Sequence, residues 1–229
     1  MHRKRRITVV LLLIIFFVLV ITINSPTQTN TPTTKTVKSN NTSNLAIYEL
    51  NKVAIKGRAP KTKYSREQFG ADWSIINGCD TRNIILNRDL SNAVVDERCN
   101  VVSGTLNDPY TGKTIQFKRG SDTSGAIQID HVVSLSDAWQ KGAQQLTSDM
   151  RIKLANDPLE LLAVDGPANQ QKSDSDAASW LPPNKSFRCQ YVARQIAVKL
   201  KYNLWVTSAE HDVIANILNK CSNQMLPNP

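Results

Sequence analysis

The stretch Ile129-Asp130-His131-Val132-Val133 sets an acid beside one of only three histidines in the chain. The segment Asn169-Gln170-Gln171-Lys172 begins 38 residues after His131. The other histidines are His2, in a basic leader, and His211, in an expected C-terminal helix with Glu210 and Asp212 beside it on the surface. A carboxylate is a hard oxygen ligand for a divalent cation. An imidazole takes a proton from water, and a bound cation neutralises charge on a phosphate and on its departing oxygen. The residue types therefore point to metal-assisted phosphodiester hydrolysis, and a nuclease is the leading reading. Asp130 is the expected metal ligand, His131 the base and Asn169 a second oxygen donor. Lys172, one helical turn further on, is the expected phosphate contact. An Asp-His pair by itself is equally a half-buried structural pair; the Asn169/Lys172 segment is what favours chemistry.

Adjacent residues on a regular strand face opposite sides, so Asp130 and His131 serve one site only where the strand ends or bends. The apolar run Ala126–Val133 is the expected strand, and Ser134 with the polar residues after it supplies its end. Residues 134–142 begin a helix with Ser136 as N-cap. A short helix spans 149–155. Residues 159–164 (LELLAV) form a strand or apolar turn, 165–169 a Gly- and Pro-bearing loop, and 170–180 a polar helix stopped by Leu181-Pro182-Pro183. Upstream, 45–56 has helical spacing ended by Gly57 and Pro60, and 81–90 (TRNIILNRDL) reads as a helix burying Ile84, Ile85 and Leu86. Val101-Val102 is a short strand. Asp108-Pro109-Tyr110-Thr111-Gly112 is a turn, because Pro presets φ and Gly permits φ > 0; it leads to a strand at 114–117. Helical periodicity returns over 189–200 and 209–221. The fold class is α+β, a mixed domain rather than a regular alternation of strand and helix.

Arg3, Lys4, Arg5 and Arg6 precede an apolar run from Ile7 to Ile23. This is a leader, read either as a signal anchor crossing the membrane or as a cleaved signal peptide. Basic residues stay inside, so everything after it lies outside the cytoplasm. Residues 24–45, rich in Thr, Asn, Ser and Pro, bury too little surface to order themselves and read as a linker. Residues 46–229 are the folded domain.

The four cysteines, Cys79, Cys99, Cys189 and Cys221, all fall in that domain. None forms a C-x-x-C pair, which argues against a zinc knuckle. An even count outside the cytoplasm favours two disulfides, and the local pairing Cys79–Cys99 with Cys189–Cys221 is expected.

The formal charge of +9 overstates the domain's basic character. Residues 1–45 hold six basic side chains and no acid, which leaves 22 basic against 19 acidic, a net +3, for residues 46–229. Distribution says more. Lys52, Lys56, Arg58, Lys61, Lys63 and Arg66 lie between Glu49 and Glu67 with no acid among them. Such a cluster either contacts phosphates or forms a solvated basic face. Arg82, Asn83, Arg88 and Asp89 form a polar set on one helix that either reaches substrate or makes a structural network. Arg119, with Lys118, ends a strand before the site and is a further candidate phosphate contact. Asp174 and Asp176 are outer-shell metal contacts or solvated acids. Trp139, Trp180 and Trp205 are expected in the core.

Several stretches in order resemble a known family. IDHVVSLSDAW, LLAVDGPANQQKSD and WLPPNKSFRCQYV, with the upstream GCDTRNIILNRDL and GTLNDPYTGKTIQF, are similar to secreted HNH-type endonucleases related to the C-terminal nuclease domain of GmrSD-type restriction enzymes. The resemblance covers roughly 65–221. It implies a ββα-metal (HNH, His-Me finger) core with flanking helices, with Asp130 and Asn169 binding the metal and His131 as general base. One position departs from the pattern. Glu160 stands where many HNH sequences have an Asn that ties the loop; either Asn156 takes its place or Glu160 accepts those hydrogen bonds itself.

The expected activity is thus a divalent-metal-dependent endonuclease, with Mg²⁺ the first choice and Mn²⁺ the second. Its substrate is DNA with little sequence preference, since no recognition module accompanies the domain, and it is secreted or membrane-anchored. Arg82, Arg119 and Lys172 are the expected substrate contacts. No G-x-S-x-G turn supports a serine hydrolase using His131. The non-enzyme alternative is a catalytically inactive extracellular domain that binds nucleic acid or an anionic polymer.

Overall fold

The computed structural model describes residues 45–227. The basic leader, its apolar run and nearly all of the linker lie outside the described residues. Among the described residues no helix is long and apolar enough to cross a membrane.

The domain is mixed α+β, as expected. Helix α1 (Ala46–Leu50) is followed by a two-residue ladder of β1 (Ile75–Ile76) with β2 (Cys79–Asp80). Helix α2 (Thr81–Asp89) comes next, then an antiparallel sheet in the order β3 (Ser91–Val95), β4 (Val101–Asn107), β5 (Thr114–Lys118). Strand β6 (Ile127–His131) pairs antiparallel with β7 (Leu161–Asp165), and α5 (Gly166–Lys172) follows β7 directly. Between β6 and β7 run α3 (Leu135–Gln140) and α4 (Ser148–Ala155). Helices α6 (Arg188–Lys201) and α7 (Ser208–Leu218) complete the chain.

The β6/β7 pair is buried on both faces, which explains its continuous apolar character. Register pairs Ile129 with Ala163, Asp130 with Leu162 and His131 with Leu161. Ile127, Ile129, Leu161 and Ala163 pack against Ile85 and Leu86 of α2 and against Val101, Leu106 and Phe117 of the three-stranded sheet. Leu162 and Val164 turn to the other face, against Tyr191, Val192 and Ile196 of α6. A separate cluster of Phe69, Val133, Leu135, Trp139, Leu154 and Tyr202 fills the space beneath the 132–160 excursion. Trp139 and Trp205 are buried, Trp180 packs half-buried on Tyr110 and Tyr191, and His211 sits half-exposed beside Asp212.

Four elements differ from the sequence reading. Helix α5 begins at Gly166, inside the expected loop, and ends at Lys172 instead of extending to Trp180. Asp165 caps it by accepting from the Ala168 N–H, and Pro167 sits in the first turn, where its missing N–H costs no helical bond. Gly166 is required there: a Cβ would lie 2.1 Å from the Gly125 carbonyl oxygen. Second, α3 has Ser134, not Ser136, at its N-cap position, and neither hydroxyl makes a cap bond; Ser136 instead reaches Asp174. Third, only Ala46–Leu50 of the expected 45–56 helix is helical; fourth, the Val101 strand runs on to Asn107.

Both disulfides, Cys79–Cys99 and Cys189–Cys221, have the expected local pairing. The first closes the chain on either side of α2; the second joins the start of α6 to the end of α7. A buried ionic cluster ties the remaining pieces together. Lys141 bonds Asp137, Asp176 and Glu210, Lys199 bonds Glu210, and Arg58 bonds Asp137 and Asp176. Asp176 is therefore a buried structural acid and not a solvated or metal-facing one.

Candidate active site

The end of β6 opens onto a groove of about 600 Å³ whose lining includes Asp130, His131, Asn169, Arg82, Arg66 and Trp73. The strand ends at His131, so Asp130 and His131 both reach this space although they are sequence neighbours.

The Asp130 carboxylate is held from two sides. Tyr110 Oη donates to Oδ2, and Lys172 Nζ donates to Oδ1 at 2.9 Å. Tyr110 is presented by the 108–112 turn, which is pinned to the end of β7 because Asp108 Oδ1 accepts from the Asp165 N–H at 2.9 Å. Burial pushes the Asp130 carboxyl above the ordinary carboxylate range, and the Lys172 charge and the two hydrogen bonds pull it back.

Lys172 is fully buried, contrary to the expectation of a phosphate contact. Its ammonium is saturated by Asp130 Oδ1, the His131 carbonyl at 2.8 Å and Ser134 Oγ at 3.0 Å. Ser134 Oγ in turn donates to the Ser173 carbonyl. Lys172 thus fastens α5 to the end of β6 from beneath, and its amine does not line the groove.

His131 has its ring within 3.0 Å of the Ala155 carbonyl through Nε2. A carbonyl only accepts, so Nε2 carries the hydrogen and Nδ1 is left as the basic nitrogen. The Trp73 indole stacks on the imidazole, with ring centroids 5.7 Å apart and planes 5° apart. Burial, aided by the Arg66 charge, lowers the His131 pKa to about 3, while the Ala155 hydrogen bond opposes the shift. The ring is neutral at physiological pH.

Asn169 and Lys172 are three residues apart on α5 and so share a face. Asn169 Nδ2 donates to Gln128 Oε1 at 2.9 Å. Gln128 lies two residues before Asp130 on β6, on the same side of the strand. Asn169 is thereby held over the strand face that carries Asp130, with its amide oxygen uncommitted among the described hydrogen bonds. No group of three or more His, Cys, Asp and Glu residues converges as a metal cluster among the described residues. The oxygen donors on the groove beside the His131 imidazole include Asp130, whose carboxylate keeps lone pairs beyond its two hydrogen bonds, and Asn169. That set suits a hard cation carrying most of its water, in the manner of Mg²⁺, and not a soft one.

The loop after β6 is secured by Glu160. Its Oε2 accepts from the Val133 N–H at 3.1 Å, while its backbone oxygen accepts from the Val132 N–H. Asn156 does other work, accepting from the Ser74 N–H and donating to the Ile152 carbonyl. Burial pushes the Glu160 carboxyl well above the ordinary range, and Oε1 has no partner.

Of the polar set on α2, only Arg82 lines the groove. Asn83 and Arg88 bond backbone groups of other elements, and Asp89 accepts from the Ala163 N–H. Arg119 is also structural: it donates to the Val101 carbonyl and to Asn83 and does not line the groove. Asp174 is exposed at the groove, paired with Lys61 at 3.2 Å. From the basic cluster at 52–66, Lys61 and Arg66 reach the groove, whereas Arg58 is taken by the buried ionic cluster.

The sequence reading missed Trp73, Tyr110 and the individual role of Arg66. Each contacts the site across a long stretch of chain. The aromatic residues between Tyr64 and Trp73, unaccounted for by any periodicity, were the available signal.

Two comparisons with known proteins bear on this arrangement. Residues 80–217 match the pattern of GmrSD restriction endonucleases, C-terminal domain. A protein of Arthroderma benhamiae described as an uncharacterized secreted protein is 38% identical over 199 residues, spanning 86% of this chain and 90% of that one.

Proposed function

The chain belongs to the GmrSD restriction endonuclease C-terminal domain family, and on that premise we propose that it is a metal-dependent endonuclease of the HNH type acting outside the cytoplasm. The observation that carries this reading is the neutral His131 imidazole on the groove, its Nε2 committed to the Ala155 carbonyl and its Nδ1 left as a base. The β6–β7–α5 succession is read as the ββα core, with Glu160 in place of the usual loop-tying Asn.

In this reading Asp130 and Asn169 would hold a divalent cation, Mg²⁺ or Mn²⁺, and such a cation would supply charge neutralisation at a phosphodiester. His131 Nδ1 accepts a proton from the water that attacks phosphorus, and the P–O3′ bond breaks. Trp73 and the Ala155 carbonyl hold the imidazole plane for that transfer. Lys172 and Tyr110 orient Asp130. DNA with little sequence preference is the proposed substrate, since the groove carries the positive charges of Arg66 and Arg82, which would meet backbone phosphates whatever the bases. The secreted relative and the two disulfides support a location outside the cytoplasm, and the apolar leader would export or tether the domain. The inactive binding-domain alternative has less support, because a merely anion-binding groove has no need of a stacked, singly hydrogen-bonded imidazole.

The test is to offer the purified oxidised protein duplex DNA, single-stranded DNA and RNA with Mg²⁺, with Mn²⁺ and with EDTA. Fragmentation that requires the metal supports the reading. Intact nucleic acid with both metals, from protein shown to be folded, would leave only the binding alternative.

A further inference from the structure

The described residues include nine arginines, and most have their guanidinium committed to protein acceptors: carboxylates for Arg58, backbone carbonyls for Arg88, Arg119, Arg151, Arg188 and Arg194. Arg66, Arg82 and Arg98 make no side-chain hydrogen bond or ion pair among the described residues. Two of these three line the groove beside His131, whereas Arg98 lies in the β3–β4 turn away from it.

Arg82 is the more telling. It is half-buried at the start of α2, and its nearby acid, Asp80, is occupied: both oxygens accept from Asn83 as the helix cap. Arg119 adds a like charge. Burial, then Arg119, lowers the Arg82 pKa, and Asp80 opposes the shift. Desolvated cations are ordinarily paired. Arg66 reaches the same groove from the short 3₁₀ turn Arg66–Phe69, upstream of the residues that match the family. It is exposed, and Glu67, which follows it, makes no ion pair with it.

We infer that Arg66 and Arg82 form a two-armed receptor for backbone phosphates of a nucleic-acid strand lying in the groove. This rests on the nuclease reading and names the groups that seat its substrate. Each guanidinium presents a planar fork suited to two phosphate oxygens. Neither contacts a base-reading position, so the contacts give affinity without sequence preference. Arg82 lies within the matched residues 80–217 and Arg66 just before them, so the two arms come from separate segments of the one domain.

The experiment measures binding of the full chain to a labelled oligonucleotide in EDTA, by fluorescence anisotropy over 50–300 mM salt. The probe is used as a duplex and as a single strand, with Arg66→Gln, Arg82→Gln and Arg98→Gln compared. A lost phosphate contact reduces the slope of log affinity against log salt by about 0.9 for a duplex and about 0.7 for a single strand. The expected result is that reduction for Arg66→Gln and for Arg82→Gln, and none for Arg98→Gln. The thermal midpoint of free Arg82→Gln should equal or exceed that of the wild type, because the substitution removes an unpaired desolvated charge. Unchanged slopes in the groove variants, or the same reduction in Arg98→Gln, would overturn the proposal. Wild-type cleavage with Mg²⁺ is scored separately: binding with arginine-dependent slopes but no cleavage would defeat the nuclease reading and leave this receptor standing.

Discussion

Replacing Lys172 by Met separates a brace from a substrate contact. The ammonium is fully buried and holds Asp130, the His131 carbonyl and Ser134 together. Met fills most of the volume but leaves the Asp130 carboxylate, 5% exposed, with Tyr110 as its remaining partner. Breaking a buried ion pair from one side costs about 3–5 kcal/mol, because the other charge stays desolvated. With a urea dependence of about 2 kcal/mol per molar, the unfolding midpoint should fall by roughly 2 M. The double variant Asp130→Asn/Lys172→Met removes both charges and should recover most of the loss, since a neutral replacement of a buried pair is often close to isoenergetic. The assay is urea unfolding of the oxidised protein followed by tryptophan fluorescence. A Lys172→Met protein as stable as the wild type, or a double variant no more stable than the single one, would refute the assignment. The first of those outcomes, joined to weakened nucleic-acid binding, would restore Lys172 as a phosphate contact.

Three further outcomes are expected. Glu160 has a carboxyl pKa raised by burial, so its folded form binds the proton more tightly than its unfolded form. Its contribution is complete below about pH 4.5 and is lost as pH rises through the folded value. Stability should therefore fall from pH 5 to pH 9, and Glu160→Gln should flatten that decline in denaturation midpoints; a decline as steep in the variant would exclude Glu160 as its source. Trp73→Ala should lower the cleavage rate about tenfold, the upper end of what an aromatic pair contributes. Phe at that position should restore most of it, and equal rates in all three proteins would show that the stack does not position His131. Gly166→Ala puts a methyl group 2.1 Å from the Gly125 carbonyl oxygen, so backbone must move. A loss of about 1–3 kcal/mol is expected from such overpacking, read from the thermal midpoint, and an unaltered midpoint would mean that the close approach is absent in solution.

The parts of the structure legible in the sequence are those set by local pattern. The apolar stretch carrying Asp130-His131 is a strand because both faces are covered, but it ends at His131, two residues short of the expected Val133, because Val132 and Val133 leave the ladder to bond Glu160. The α2 helix is announced by Ile85 and Leu86 on one side, while Ile84 stays half-buried and Asp80 proves to be the cap. Four cysteines allow three pairings, and the structure has the local one that was expected. What escaped the sequence reading is direction. Lys172 and Asn169 lie on one face of one short helix, and nothing local says that Lys172 is buried against Asp130 while Asn169 lines the groove. Gly166-Pro167 has loop composition but serves as a helical first turn, because Asp165 caps it and the glycine allows α5 to press against the 124–126 backbone. Tyr110 and Trp73 reach Asp130 and His131 through tertiary contacts that leave no periodic trace.

The role of His131 as base is tested by conversion of supercoiled plasmid to nicked circle by the oxidised protein in Mg²⁺, with EDTA and with the His131→Ala variant run alongside. Nicking should need the metal and be lost in the variant, whose thermal midpoint shows it folded. Nicking that survives His131→Ala would contradict that role.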